Sequence, residues 1–161
     1  MPYSLDDLIV DIKDIILNEK IPNGSDKICY FVSKALMDQN FISENLSDRQ
    51  NGEHPRQILY EDKETGFCVC GHVYSTEAIG SPHDHGLSWA IYGQASGETE
   101  MTDWEIVEDR SNNAMIYVKP KKTYTMKAGD VHFYGVGEVH SPVRKDPVRL
   151  LRIEGANLDN I

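Results

Sequence analysis

The sequence predicts a mainly β fold, a closed barrel or jelly roll preceded by a helical N-terminal segment. In the first third of the chain, apolar residues recur every three or four positions, which is the spacing of amphipathic helices. From about Arg56, short runs rich in Val, Ile, Tyr and Thr alternate with Gly, Pro, Asp and Asn, as in a series of antiparallel strands. Eight or so such strands without intervening helices indicate a barrel or a double-sheet jelly roll.

Two helices and a shorter helical turn are expected in the N-terminal segment. Ser4 is suited to cap the first helix, because a serine side chain can accept the backbone N–H of a residue in the first turn. Pro22 and Gly24 interrupt the apolar pattern, so the second helix is expected to begin at Ser25 and to run to about residue 40. The helical turn is expected at residues 43–48.

The chain is expected to form one domain over residues 1–161, because 161 residues suffice for a single core. Residues 1–50 would form the helical cap and residues 54–154 the barrel. The predicted strands are 56–61, 67–75, 88–94, 99–107, 115–119, 123–127, 132–135 and 148–154.

Charge and composition exclude several classes of function. The formal net charge of -10 opposes non-specific binding to nucleic acid or to anionic lipid. No apolar run approaches the roughly 20 residues that a membrane-spanning helix requires. Three cysteines without a C-x-x-C pair suit a reducing compartment, and the first residues do not resemble a secretory signal, so we expect a cytoplasmic location.

The strongest functional signal is a cluster of histidines. His83 and His85 are two residues apart, so on a strand their side chains point the same way and can offer two nitrogens to one metal ion, while Asp84 faces away. His140, which follows a glycine-rich turn, can supply a third nitrogen. Two ordinary surface or core histidines also fit the H-x-H spacing, so that pattern alone does not establish a metal site.

Two segments at matching spacing resemble the motifs of the cupin family. The first cupin motif has H-x-H, four residues, an acidic ligand, six residues and glycine; here His85 is followed at those distances by Ala90 and Gly97. The second motif has its counterpart between Gly129 and His140, with Gly135 in place of the usual proline. The resemblance implies an RmlC-like cupin jelly roll with His83, His85 and His140 as metal ligands.

Ala90 departs from the cupin pattern because the usual glutamate ligand is absent. The metal would then have three neutral ligands and several open positions, which suits a catalytic site rather than a closed structural one. Imidazole binds several divalent metals, so Fe(2+) is expected from the resemblance described next, while Zn, Ni and Mn remain alternatives.

The missing glutamate, the H-D-H sequence and the helical N-terminus resemble the cysteine dioxygenase-like (thiol dioxygenase) cupins. That resemblance implies an iron(II)-dependent dioxygenase, with a small anionic molecule, possibly a thiol carboxylate, and dioxygen as substrates. It also implies that Arg56, 27 residues before His83, pairs with the substrate carboxylate, and that Tyr74, His72 and Trp89 shape the pocket. Alternatively, Arg56 is an exposed residue at a strand start and His72 a hydrogen-bonded core residue.

One segment fits this subfamily poorly. Its well-known members carry a Ser-x-His-x-Tyr set after the third histidine ligand, whereas the equivalent positions here are Arg149, Leu151 and Ile153. Two further functions therefore stay open: a non-redox metal enzyme such as an isomerase or lyase, and a cupin that binds a small molecule without chemistry. Exposed strand edges can pair with those of a second copy, so a homodimer is a further expectation.

Overall fold

A computed structural model describes residues 2–110 and 115–157 of the chain. In this part of the chain, three helices are followed by nine strands. The helices are α1 (Leu5–Asn18), α2 (Ser25–Leu36) and α3 (Gln39–Asn45). The strands are β1 (Arg56–Glu61), β2 (Cys68–Tyr74), β3 (Ala78–Ile79), β4 (Ala90–Ser96), β5 (Thr99–Arg110), β6 (Met115–Met126), β7 (Val131–Tyr134), β8 (Val139–Arg144) and β9 (Val148–Glu154).

Side-chain caps mark the beginnings of α1 and α3. Ser4 caps α1 as predicted, and the Asp7 side chain reaches back to the Ser4 backbone N–H to complete a capping box. Helix α2 begins at Ser25 as predicted but ends at Leu36, four residues early. Asp38 accounts for the early end, because its carboxylate accepts two backbone N–H groups of the next turn and so begins α3 at once.

The strands form two antiparallel sheets that enclose one interior. The first sheet has the strand order β1-β2-β9-β4-β7 and the second has the order β3-β8-β5-β6. Buried side chains from both sheets pack into one cluster, whose members are Ala90, Tyr92, Met101, Met126 and Tyr134. Two antiparallel sheets around a common core are a jelly roll, so the predicted mainly β fold class is confirmed, together with its helical N-terminal segment.

The helices cover the outer face of the five-stranded sheet. Val69, Ile91 and Leu151 point away from the barrel interior and pack against apolar residues of α1 and α2. At Gly93 the approach is so close that a Cβ atom would lie 2.9 Å from a methyl group of Val32. The sheet is therefore apolar on the face toward the helices, which leaves the alternate residues of β2, β4 and β9 for the interior.

Two strands of the structure were not predicted from the sequence, and a third was predicted as two separate strands. Strands β3 and β8 were not predicted, and Pro142 within β8 weakens the strand signal of that segment. The segments predicted at 115–119 and 123–127 form the single strand β6, which crosses Pro120 at an irregularity opposite Trp104. Within the described residues, no helix is long and apolar enough to cross a membrane.

Candidate metal centre

Backbone pairing brings the three histidines together. The backbone N–H of His83 donates to the carbonyl of His140 at 3.0 Å, and the N–H of His140 donates to the carbonyl of His83 at 2.9 Å. His85 follows two residues later and projects into the same space. One ring nitrogen from each of the three histidines lies within 4.8 Å of the other two.

Backbone carbonyls fix which nitrogen each ring presents to the centre. The Nδ1 atom of His83 lies 2.8 Å from the carbonyl oxygen of Ser81, and the Nδ1 atom of His140 lies 3.2 Å from that of Glu138. A carbonyl can only accept a hydrogen bond, so the proton resides on Nδ1 in both rings. In the neutral form of either ring, Nε2 then carries the lone pair, as in metal-binding imidazoles.

The spacing of the nitrogens suits one metal ion. The Nε2 atoms of His85 and His140 are 3.2 Å apart, and His85 is 4% exposed while His140 is fully buried. Two nitrogens that each lie about 2.1 Å from one ion, at an angle of about 90 to 109°, are about 3.0 to 3.4 Å apart. The histidines are thus placed to hold a divalent ion without a large rearrangement.

Burial keeps these ligands neutral. Desolvation lowers the pKa of His85 to about 3, with the positive charges of Arg152 and His83 as smaller causes. Desolvation also lowers the pKa of His140 to about 3, with His83 and His85 contributing. At neutral pH both rings are uncharged, so their nitrogens are available to a metal ion.

A tyrosine hydroxyl stands against the same nitrogens. The Tyr92 hydroxyl lies 2.8 Å from Nε2 of His85 and 3.0 Å from Nε2 of His140. Tyr92 belongs to β4 and is 2% exposed, and the ring of Tyr134 lies 4.1 Å from the ring of His140, measured between centroids. Sequence reasoning did not single out Tyr92, although its position two residues after the inward-facing Ala90 gives the signal.

Ala90 faces the interior, as its place in the first motif implied. It is fully buried, and its neighbours across the sheet are Glu154 on β9 and Tyr134 on β7. The Glu154 carboxylate is held by Arg56 at 3.5 Å and by Arg152 at 3.6 Å. Among the described residues, the three-histidine cluster includes no carboxylate, so a metal ion held there retains open positions.

Strand β2 turns the two expected residues His72 and Tyr74 inward, together with Cys70. Cys70, His72 and Tyr74 alternate along one face, and the His72 Nδ1 atom lies 3.4 Å from the Tyr74 hydroxyl. His72 is 3% exposed, and burial, followed by the charges of several arginines, lowers its pKa well below the ordinary value. Cys68 lies on the same face, with its Sγ atom 3.7 Å from that of Cys70 and 3.9 Å from the Glu154 carboxylate.

Two expected pocket residues lie in different environments. Arg56 is paired in register with His72 on the neighbouring strand, so it lies on the interior face of β1, where its side chain makes an ion pair with Glu154. Trp89 differs from the expectation, because its side chain packs with Phe133 and the core beneath the helices rather than beside the histidines. Residue alternation explains this difference, since Ala90, the next residue, faces the interior.

The register of β9 corrects the alignment of the chain's last strand. Leu151 and Ile153 belong to the core under the helices, and Arg149 pairs with Asp48 outside the barrel. The alignment that placed these three residues at pocket positions is therefore wrong by one residue. The inward residues of β9 include Arg152, whose guanidinium carbon lies 4.0 Å from the centroid of the Tyr92 ring.

Two cavities lie at the barrel. One of about 280 Å³ is lined by Tyr134 and by Glu138, the residue whose carbonyl holds the His140 ring. Another of about 620 Å³ is lined by Tyr74, Val148 and neighbouring residues. The first is lined by Tyr134, whose ring packs against His140, whereas residues outside the barrel, such as Asp48 and Arg149, line part of the second.

Comparisons with known proteins concern the fold. No family model and no curated protein matches the sequence. Among solved structures, the chain is similar to a cupin superfamily protein from Desulfitobacterium hafniense (12% identity, 68% of this chain and 84% of the other, TM-score 0.49). It is also similar to KdgF from Halomonas sp., with 17% identity over 71% of this chain and 91% of the other and a TM-score of 0.49. A third similar structure is hydroquinone 1,2-dioxygenase PnpCD, solved with Cd²⁺ and 4-hydroxybenzonitrile, with 12% identity over 65% of this chain and 66% of the other and a TM-score of 0.49. The solved structures that the chain resembles thus include a cupin superfamily protein and a dioxygenase.

Proposed function

We propose that this chain is an iron(II)-dependent dioxygenase of the cysteine dioxygenase-like cupin type, acting on a small anionic substrate. The observation that carries the proposal is the cluster of three histidines, His83, His85 and His140, in which burial keeps His85 and His140 neutral and which includes no carboxylate among the described residues. Iron(II) held there would supply redox chemistry and neighbouring positions for a chelating substrate and dioxygen. A 2+ charge with neutral ligands also favours an anionic substrate.

The surrounding residues have separate tasks in this proposal. The Tyr92 hydroxyl, in contact with two of the histidines, can hold or donate a proton beside the metal. This hydroxyl supplies a proton-handling group from β4, since the Ser-x-His-x-Tyr set has no counterpart on β9. Buried side chains around it exclude water, and Arg152 brings positive charge toward the substrate.

Oxygen consumption tests the proposal. The full chain is depleted of metal, reconstituted anaerobically with Fe(II), and supplied with air-saturated buffer and either thiol carboxylates, such as cysteine and 3-mercaptopropionate, or small acids without a thiol. We expect substrate-dependent oxygen uptake that is absent from the zinc-loaded protein and from the His140→Ala variant. No uptake by iron-loaded protein with any member of the panel would refute the assignment.

A non-redox metal enzyme, such as an isomerase or lyase, is the second candidate. The contact between the Tyr92 hydroxyl and the histidine nitrogens favours it, because a metal ion beside a proton donor can polarise a substrate and transfer a proton. Turnover by zinc-loaded protein without oxygen would establish this alternative in place of dioxygenation.

A further inference from the structure

The enclosed guanidinium of Arg144, at the end of β8, has no ion-pair partner among the described residues. Arg144 is 3% exposed, and its Nε atom and one terminal nitrogen have no hydrogen-bond partner among the described residues. Its guanidinium carbon lies 5.2 Å from the centroid of the Tyr74 ring, and within the described part of the chain no carboxylate pairs with it. A buried charge without a partner is unfavourable, so the arrangement calls for an anion.

Two more unpartnered polar atoms belong to the same interior. The Nε2 atom of His72 and the Nε atom of Arg152 are enclosed, and neither has a hydrogen-bond partner among the described residues. His72 faces Tyr74, the residue that stacks on Arg144. Unsatisfied buried polar groups are rare in folded proteins, and three on neighbouring side chains indicate a position that a ligand fills.

Strand register brings these side chains within reach of one another. Cys70 is the cross-strand partner of Arg152, and His72 is two residues further along β2, so His72 and Arg152 are diagonal neighbours with backbones about 7 to 8 Å apart. Arg144 lies over the Tyr74 ring, and the hydroxyl of Tyr74 lies beside His72. Burial, and secondly the charge of Arg152, lower the pKa of Arg144 to about 10. That direction is expected when two guanidinium groups lie close together without an intervening anion.

We infer that Arg144 and Arg152, with His72 beside them, bind the oxyanion end of the substrate. A guanidinium presents parallel N–H donors that match the oxygen atoms of a carboxylate or of a phosphate, so either anion could bind in the same way. Arg56 and Arg152 both lie against Glu154, but Arg152 also has an enclosed Nε atom without a hydrogen-bond partner among the described residues. We therefore assign Arg152 to the anion and Arg56 to positioning Glu154. The inference deepens the proposed function, on which it rests for the role of the site, by naming where the anionic group lies.

The position of the anion site also restricts the substrate. His140 and Arg144 lie on one face of β8 and are four residues apart, about 13 Å along the strand. Tyr92 stands between the two sites, with its hydroxyl on the histidines and its ring under Arg152. A substrate that engages both sites must therefore pass along the Tyr92 ring between its metal-binding group and its anionic group.

Anion binding by metal-free protein tests the inference separately from catalysis. The full chain is treated with a chelator and titrated with malonate or inorganic phosphate, and binding is measured by calorimetry and by the shift in melting temperature. We expect saturable binding of at least one of the two anions, and the comparison between them identifies the preferred source. The Arg144→Met variant is expected to bind at least tenfold more weakly and to melt at the same temperature or higher in anion-free buffer.

Arg149→Met is the matched control, because it makes the same substitution on the outer face of β9, where Arg149 pairs with Asp48. It is expected to leave anion affinity unchanged. Arg144→Lys, which keeps the charge but lacks the planar fork, serves if Arg144→Met does not fold, and is expected to bind severalfold more weakly. The inference is overturned if wild-type protein binds neither anion at millimolar concentration, or if the Arg144 variants bind as tightly as wild type. Since no iron or oxygen is involved, a protein without dioxygenase activity can still pass this test.

Discussion

The Tyr92 hydroxyl competes with a metal ion for the histidine nitrogens, so Tyr92→Phe is expected to tighten metal binding. The hydroxyl lies 2.8 Å from Nε2 of His85 and 3.0 Å from Nε2 of His140, and these are the atoms that a metal ion must take. A hydrogen bond of this kind contributes about 1 kcal/mol net, and it is broken when the ion binds. Because about 1.4 kcal/mol corresponds to a tenfold change in affinity, the variant should bind metal about fivefold more tightly.

The same substitution should weaken the metal-free protein. Without the phenol, a buried histidine nitrogen loses a partner, so the free energy of unfolding should fall by about 1 kcal/mol. Metal affinity is measured by competition between the protein and a chromophoric chelator for Zn²⁺. Stability is measured by urea unfolding of chelator-treated protein, with and without added Zn²⁺.

Tyr60→Phe is the matched control for this prediction. The Tyr60 hydroxyl donates to Asp62 at 2.7 Å, away from the histidines, so its removal should also lower stability but leave zinc affinity unchanged. The reasoning is refuted if Tyr92→Phe binds zinc with unchanged or weaker affinity. A weaker affinity would mean that the phenol helps to hold the metal instead of competing with it.

Three other substitutions probe the interior. Ala90→Glu places a carboxylate at the position where cupins carry their acidic ligand. The larger side chain overpacks a fully buried position, so the free energy of unfolding of the metal-free protein should fall by about 1 to 3 kcal/mol. Adding Zn²⁺ should raise the melting temperature of the variant by more than it raises that of wild type. An increase no larger than in wild type would contradict this. His72→Phe should reduce the loss of stability that chelator-treated protein suffers in acid. Burial lowers the pKa of His72 in the folded state, so below the unfolded-state pKa of about 6.5 the unfolded chain binds a proton that the folded chain does not. The free energy of unfolding of the wild type therefore falls by up to about 1.4 kcal/mol for each pH unit, a loss that the variant avoids. Urea unfolding at pH 7.5 and 5.0 measures the difference, and equal losses in both proteins would count against it. Trp89→Phe should lower stability but leave zinc affinity unchanged, because the indole packs under the helices; a large loss of affinity would place it at the metal after all.

The metal centre was predictable because its information is local. Two histidines separated by one residue share a face of any extended segment, and the glycine-rich segment before His140 specifies where the chain returns. The remaining ambiguity, an H-x-H pair without a metal, was reduced by the spacing of a second motif. The structure adds what no spacing contains, namely the carbonyls of Ser81 and Glu138 that orient the rings.

The anionic end of the pocket was not predictable in the same way. Both faces of β9 carry apolar side chains. Leu151 and Ile153 pack under the helices, and Leu150 faces the interior. Alternation therefore does not reveal which set lines the barrel, and an error of one residue exchanges Arg152 for Leu151. Arg144 was missed for a different reason, since Pro142 weakens the strand signal of β8 and leaves the direction of its side chains undefined.

The charges of the barrel are compatible with the proposed anionic substrate despite the net charge of -10. Surface charges are screened by salt within about 10 Å, whereas groups enclosed in the barrel interact through a medium of low dielectric constant. Inside, Arg56 and Arg152 both face Glu154, while Arg144 has no carboxylate partner among the described residues. A divalent ion on three neutral histidines adds to this excess of positive charge, because no described ligand compensates it. If the barrel holds a metal ion as proposed, an entering anion would offset this positive charge, and the same excess would disfavour neutral and cationic molecules of similar shape.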